Sequence, residues 1–223
     1  MKSTHRFAAL LLAVLVGLVT GVALRSRSAE PTGTVRISGR EIEFSAIVTK
    51  GAFEREILGM PDYHLIVWKE GRAAPAALFR AEVTDTEVLD ALERLGAKPG
   101  NALGMATWEE RKDPASHAPD QVIAGPPVEI LVKVPGRQAP LTLAEILEDP
   151  GGSGFDMRFG GHRANIPKWK SGCVVCLYSC PGSKVGNARY TVRDYVKGAT
   201  RFRVRQGVLP ADGRRVSVVL RLR

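Results

Sequence analysis

The chain has 223 residues, 44% apolar and 25% charged, enough to bury a core without disulfide staples and too balanced for wholesale disorder. Its net charge is +9 but only 6% of its residues are aromatic, which argues against a nucleic-acid binder that works by stacking bases.

Lys2 and Arg6 carry two of those charges, leaving +7 for the remainder, and precede the uncharged run FAALLLAVLVGLVTGVAL at 7–24. A short basic start before such a run is the layout of a signal peptide or an N-terminal anchor, and a helix of this length just crosses about 30 Å of hydrocarbon. Gly21-Val22-Ala23 supplies small residues for a cut after Ala23, whereas a cut after Ala29 would set Arg27 at an unsuitable place. Both readings stand: a weakly cleaved signal and an uncleaved membrane anchor. Arg25, Arg27, Arg36 and Arg40 lie beyond the run and, by the positive-inside rule, would hold the domain in the cytoplasm. A lone first apolar segment usually acts as an export signal, so the expected location is the cell envelope, anchored or periplasmic.

Residues 25–33 form a polar linker with Pro31 and Gly33. Ile42, Phe44, Ala46 and Val48 alternate with polar residues as in a half-buried strand, and Tyr63–Lys69 (YHLIVWK) is apolar on both faces, like a central strand. Thr84 and Glu87 form a capping box for a helix with a Val88, Leu92, Leu95 stripe, closed by Gly96 and followed by Pro99. The Pro-rich stretch 107–127 predicts a long surface loop. Val128 to Val134 reads as a strand, Thr142 to Glu148 as a short helix with a second capping box, 149–154 as a turn and 155–161 as a short strand. Two terminal strands follow at 200–205 and 215–223. Strands and helices do not alternate regularly, which excludes a doubly wound parallel sheet. The expected fold is α+β: one domain with a mainly antiparallel sheet and two or three short helices, preceded by an N-terminal apolar helix.

The strongest chemical signal is Cys173-Val174-Val175-Cys176-Leu177-Tyr178-Ser179-Cys180-Pro181, a C-x2-C-x3-C-P run that holds all three cysteines. A helix would set the three thiols on one face, and a loop wrapped round an ion would also make them converge. Three readings compete. The first is a metal or iron–sulfur site: the spacing equals the last three cysteines of a bacterial ferredoxin run, with Lys170 where the first would stand. A fourth ligand would then be His162, nearest in sequence, or His64 brought in by folding; three cysteines and a histidine also suit zinc. The second is a thiol–disulfide pair at Cys173 and Cys176, activated by Lys170 or a helix N-terminus, with a protein redox partner. The third is a structural disulfide with one buried cysteine, in a non-catalytic envelope domain that binds a partner. No C-x-x-C-H occurs, so covalent haem is not indicated. No phosphate-binding loop, nucleophile elbow or zinc-protease motif gives a hydrolase or nucleotide reading an anchor.

Arg201, Arg203 and Arg205 share one strand face and suit either solvent or an anionic surface. The polar, aromatic stretch 187–195 would pack beneath the cysteines and supply donors to sulfur. His117 lies in the polar loop and is expected to be solvated.

Two stretches resemble the YdjY-type domain, a family of uncharacterised bacterial envelope proteins. One is Tyr63-His64-Leu65-Ile66-Val67-Trp68, continuing through the helix to Leu95-Gly96-Ala97-Lys98-Pro99-Gly100-Asn101. The other is Phe159-Gly160-Gly161 after the Val-rich strand and short helix. The resemblance implies an exported α+β domain and no known reaction. It divides the chain into 34–162, the family-like core, and 163–223, a cysteine segment and terminal strands packed on the same domain. The functional expectation is a metal-binding or redox accessory module, with Cys173, Cys176, Cys180 and His162 as ligands and an iron–sulfur cluster or zinc as the cofactor.

Overall fold

Burial alternates along β2 (Glu41–Val48), with Ile42, Phe44, Ala46 and Val48 inside and Glu41, Glu43 and Ser45 partly exposed. This is the period of two that a strand with one wet face requires. The computed structural model describes residues 33–55, 62–101, 103–110, 113 and 115–223. The apolar run 7–24 and the N-terminal helix expected there lie outside the described residues. Among those residues, no helix is long and apolar enough to cross a membrane.

β2 is the base of a ten-stranded sheet. β12 (Arg215–Leu222) lies antiparallel on one side of it, and β5 (Val128–Lys133) and β6 (Leu141–Thr142) continue outward. On the other side come β4 (Ala77–Ala81), β3 (His64–Trp68), β9 (Cys173–Cys176), β10 (Val185–Asn187) and β8 (Met157–Phe159). β1 (Arg36–Ser38) pairs antiparallel with β2. The sheet curls until Pro127, just before β5, forms a bridge with Arg158 of β8, so its two ends nearly meet. β7 (Leu147–Glu148) and β11 (Arg203–Val204) form a separate pair.

The sheet is mixed rather than mainly antiparallel: β3 runs parallel to β4, and β9 parallel to β10. Strand direction depends on the path of the connection, which an alternation of apolar residues does not encode. The segment 69–76 doubles back through a short 3-10 turn at Ala74–Ala76 and so re-enters the sheet parallel. The helix expectation was also too low. Six α-helices occur among the described residues: α1 (Lys50–Phe53), α2 (Asp85–Arg94), α3 (Met105–Glu109), α4 (Leu143–Ile146), α5 (Ile166–Trp169) and α6 (Val192–Lys197). All except α2 are at most six residues long, too short for a 3.6-residue period to declare itself.

α2 and α4 form where the capping boxes predict. Thr84 and Glu87 cap each other's backbone N–H groups, as do Thr142 and Glu145. α2 ends on Gly96 at φ 83°, with the Gly96 N–H on Glu93 O and the Ala97 N–H on Leu92 O, which satisfies two terminal carbonyls. The stretch 107–127 is less loop-like than expected: α3 covers its start, and Thr107 and Ile123 are buried. The Arg193 guanidinium ties the rest down, with Asp120 at 2.7 Å and the Ala118 carbonyl as partners.

Candidate metal centre

β3 is buried over His64–Val67, between β4 on one side and β9 on the other. Polar side chains on such a strand must find partners inside the protein. His64 is 4% exposed, and its Nδ1 lies 3.6 Å from Cys173 Sγ and 3.6 Å from Cys176 Sγ. The three ligand atoms all lie within 4.8 Å of one another.

A regular strand would point residues i and i+3 to opposite faces. β9 brings Cys173 and Cys176 to one side because its pairing with β3 slips twice: His64 faces Cys176, Ile66 faces Val175 and Val67 faces Cys173. Such an irregularity re-aims side chains locally. The entry to β9 is held by close backbone contact. Gly172, at φ 67°, packs against Gly71, and the Trp68 N–H donates to Gly172 O at 2.8 Å.

After β9 the chain turns at Cys180-Pro181-Gly182-Ser183, with the Ser183 N–H and hydroxyl both donating to Cys180 O. This brings the third sulfur back. Cys176 sits between the other two thiols, hydrogen-bonded to both Cys173 and Cys180. Burial, then those two contacts, push the Cys176 thiol well up; burial also raises Cys173. Cys180 goes the other way, down to about 7. The Cys176 S–H is the main cause, and the Tyr63 hydroxyl and the backbone N–H groups of Gly182 and Ser183 add to it against the cost of burial. The sulfur run is therefore polarised toward Cys180, where an anionic sulfur is best stabilised.

A buried ion pair frames the site. Lys184 Nζ lies 2.8 Å from Asp85 Oδ2 at the start of α2, and also reaches Cys173 O at 3.4 Å and Gly182 O at 3.3 Å. It joins α2 to both ends of the cysteine turn; its positive charge favours a thiolate at Cys173, and the Asp85 carboxylate opposes it. All four tyrosines of the chain cluster alongside. Tyr63 meets His64 edge-on at 4.9 Å, stacks on Tyr178 at 5.1 Å and meets Tyr195 edge-on at 5.0 Å; Tyr190 lies 5.8 Å from Tyr178.

The structure thus brings together Cys173, Cys176 and Cys180. The histidine it places with them is His64. His162 lies elsewhere, with Nε2 2.9 Å from Gly100 O. Lys170 is exposed at φ 50°, and the cation near Cys173 is Lys184. The stretch 187–195 does pack beneath the cysteine turn, where the Ser179 N–H donates to Tyr190 O. The donors that act on Cys180 are instead Cys176, Tyr63 and the turn's own backbone. Tyr63, Lys184 and Asp85 were not legible as site residues. Tyr63 stands next to His64 in sequence, but nothing local marks Lys184 or Asp85 as buried.

The sulfur run, a histidine from the YHLIVW strand and the fold that unites them invite comparison with known proteins. A YdjY domain model matches residues 34–221. The chain belongs to the YdjY domain family. The matched span includes the cysteine turn and nearly all of β12. The "Uncharacterized protein YdjY" of Escherichia coli (strain K12) is 32% identical over 160 residues, covering 71% of this chain and 67% of that protein. No solved structure matches.

Proposed function

We propose that this YdjY-family domain holds a single metal ion, ligated by His64 Nδ1 and the sulfurs of Cys173 and Cys176, with Cys180 as the fourth donor. The observation that carries the reading is the pair of 3.6 Å separations between the histidine nitrogen and two sulfurs. Zinc–nitrogen and zinc–sulfur bonds at a tetrahedral angle place their ligand atoms about 3.6 Å apart. A cluster with several irons would need its ligands farther apart, so a mononuclear zinc or iron centre is favoured over iron–sulfur. A neighbouring feature supports it: a thiol run polarised toward Cys180.

With four protein ligands the site has no open position, and its donors are buried. This suits a structural ion or an outer-sphere electron carrier rather than an ion that binds substrate. An accessory module of the cell envelope, tethered or exported through 7–24 and exchanging electrons with a protein partner, is the setting this reading favours. Thiol–disulfide exchange has one point in its favour, the low-lying Cys180 thiol, but a partner's disulfide would have to reach a sulfur that is only 4% exposed.

Anaerobic purification followed by metal analysis tests the proposal. One equivalent of zinc or iron is expected, and cobalt substitution should give the intense absorption of thiolate ligation. His64→Ala and Cys176→Ser should weaken binding at least about 100-fold, since even supporting residues cost 10–100-fold; His162→Ala should leave it unchanged. Folded, metal-free protein that binds no cobalt would overturn the reading.

A further inference from the structure

A cleft of about 910 Å³ opens away from the sulfur site, between α1, the segment before β3, β7 and the stretch 201–207. Along 201–205 the buried Phe202 and Val204 alternate with Arg201, Arg203 and Arg205, so the arginines line the cleft, with Lys50 contributed by α1.

Two of the four cations are already engaged. Arg201 lies 3.9 Å from Asp62 Oδ1 and over the Tyr195 ring at 5.0 Å; Arg205 lies 3.7 Å from Glu148 and donates to Ala144 O. The other two are available. Arg203 makes no side-chain hydrogen bond or ion pair among the described residues, and Lys50 Nζ reaches only Leu209 O, at 3.5 Å. One further acid, Glu54, is solvent-exposed.

Asp62 lines the cleft with its side chain 6% exposed, and only Arg201, at 3.9 Å, and the Phe202 N–H face its carboxylate, neither in good hydrogen-bond geometry. Its backbone is held at φ 50°, a conformation that few residues except Gly, Asn and Asp accept. A buried acceptor so poorly paired gains from an arriving hydroxyl. The cleft therefore offers two free cations for negative charge and one under-satisfied acceptor for a donor.

We propose that this cleft binds a small phosphate-type oxyanion that carries a hydroxyl, with Arg203 and Lys50 holding the charge and Asp62 accepting the O–H. Inorganic hydrogen phosphate has both features; so does a phosphate ester with a free alcohol, either as a soluble metabolite or as a lipid headgroup. Sulfate has the charge and shape but no proton to donate.

Titration calorimetry on the full chain in detergent separates these cases. At pH 8 inorganic phosphate should bind saturably and sulfate at least tenfold more weakly. Arg203→Gln should weaken phosphate at least tenfold. Asp62→Asn, which can donate to sulfate, should narrow the phosphate–sulfate gap. Glycerol 3-phosphate binding tighter than phosphate identifies a soluble ester. Short-chain phosphatidylglycerol binding tighter than phosphate, with no binding of short-chain phosphatidylcholine and loss in Arg203→Gln, identifies the headgroup. Cys176→Ser should leave phosphate binding intact, which separates failure of this site from failure of the metal site. Equal, salt-sensitive binding of phosphate and sulfate, or folded Arg203→Gln with unchanged phosphate affinity, would overturn the proposal.

Discussion

Individual carboxylates set the acid response of the domain. Burial works to raise Asp149, but hydrogen bonds from Tyr190, the Gly154 N–H, Thr200 and the Gly151 N–H outweigh it and hold the group below the usual carboxylate range. A depressed carboxyl contributes stability above its unfolded value near pH 4 and loses it as pH falls through the folded value. Tyr190→Phe removes a bond of 2.7 Å to that carboxylate and should cost about 2 kcal/mol at pH 7, with the difference shrinking at pH 3; urea melts at the two values measure it. Asp62 has the opposite sign. Burial raises it to about 7, against the pull of Arg201 and the Phe202 N–H. Between about pH 4 and 7 the folded state keeps a proton that the unfolded chain has lost, so stability falls as pH rises through that window. Asp62→Asn should flatten the slope and gain about 1–3 kcal/mol at pH 8, read from thermal melts across the pH range.

β9 is the element that decides the site. Its entry depends on Gly172, where a methyl group would come within 2.6 Å of the Gly71 Cα and where φ is 67°. Gly172→Ala should therefore push β9 off β3, cost more than about 2 kcal/mol and weaken metal binding even though no ligand is changed. Cobalt absorption and denaturant melts on the same sample would show the two losses together; intact cobalt binding in a destabilised variant would mean that the register slips are set elsewhere. By contrast, α2 is locally determined. Its capping box and Gly96 stop are both visible in the sequence, and Thr84→Ala should cost only about 1 kcal/mol.

At the scale of the molecule, the cysteine segment and the C-terminal strand are built into the sheet rather than appended to it. β9 pairs with β3, and β12 lies between β2 and β5. A fragment of residues 34–162 would expose both faces of that gap as unpaired strand edges. We expect it to be insoluble or unfolded by circular dichroism while 34–223 folds. The proposed ion should couple to the same global transition: at a free concentration 100 times Kd it should add about 2.7 kcal/mol, seen as a fall in Tm on chelation.

The amino-acid sequence alone determined the local features: the half-buried alternation of β2, the apolar strand YHLIVW, two capped helices, and three sulfurs confined to eight residues. Each rests on contacts between residues close along the chain, so each leaves a readable pattern. Which histidine joins the sulfurs was a tertiary decision. His162 is near in sequence and remote in bonding; His64 is 109 residues from Cys173 and 3.6 Å away. Strand direction, the double slip of β9 and the burial of Lys184 against Asp85 were likewise settled only when the sheet curled. They are pairings between distant segments, and such pairings are selected by the energy of the assembled core, which no single window of sequence contains.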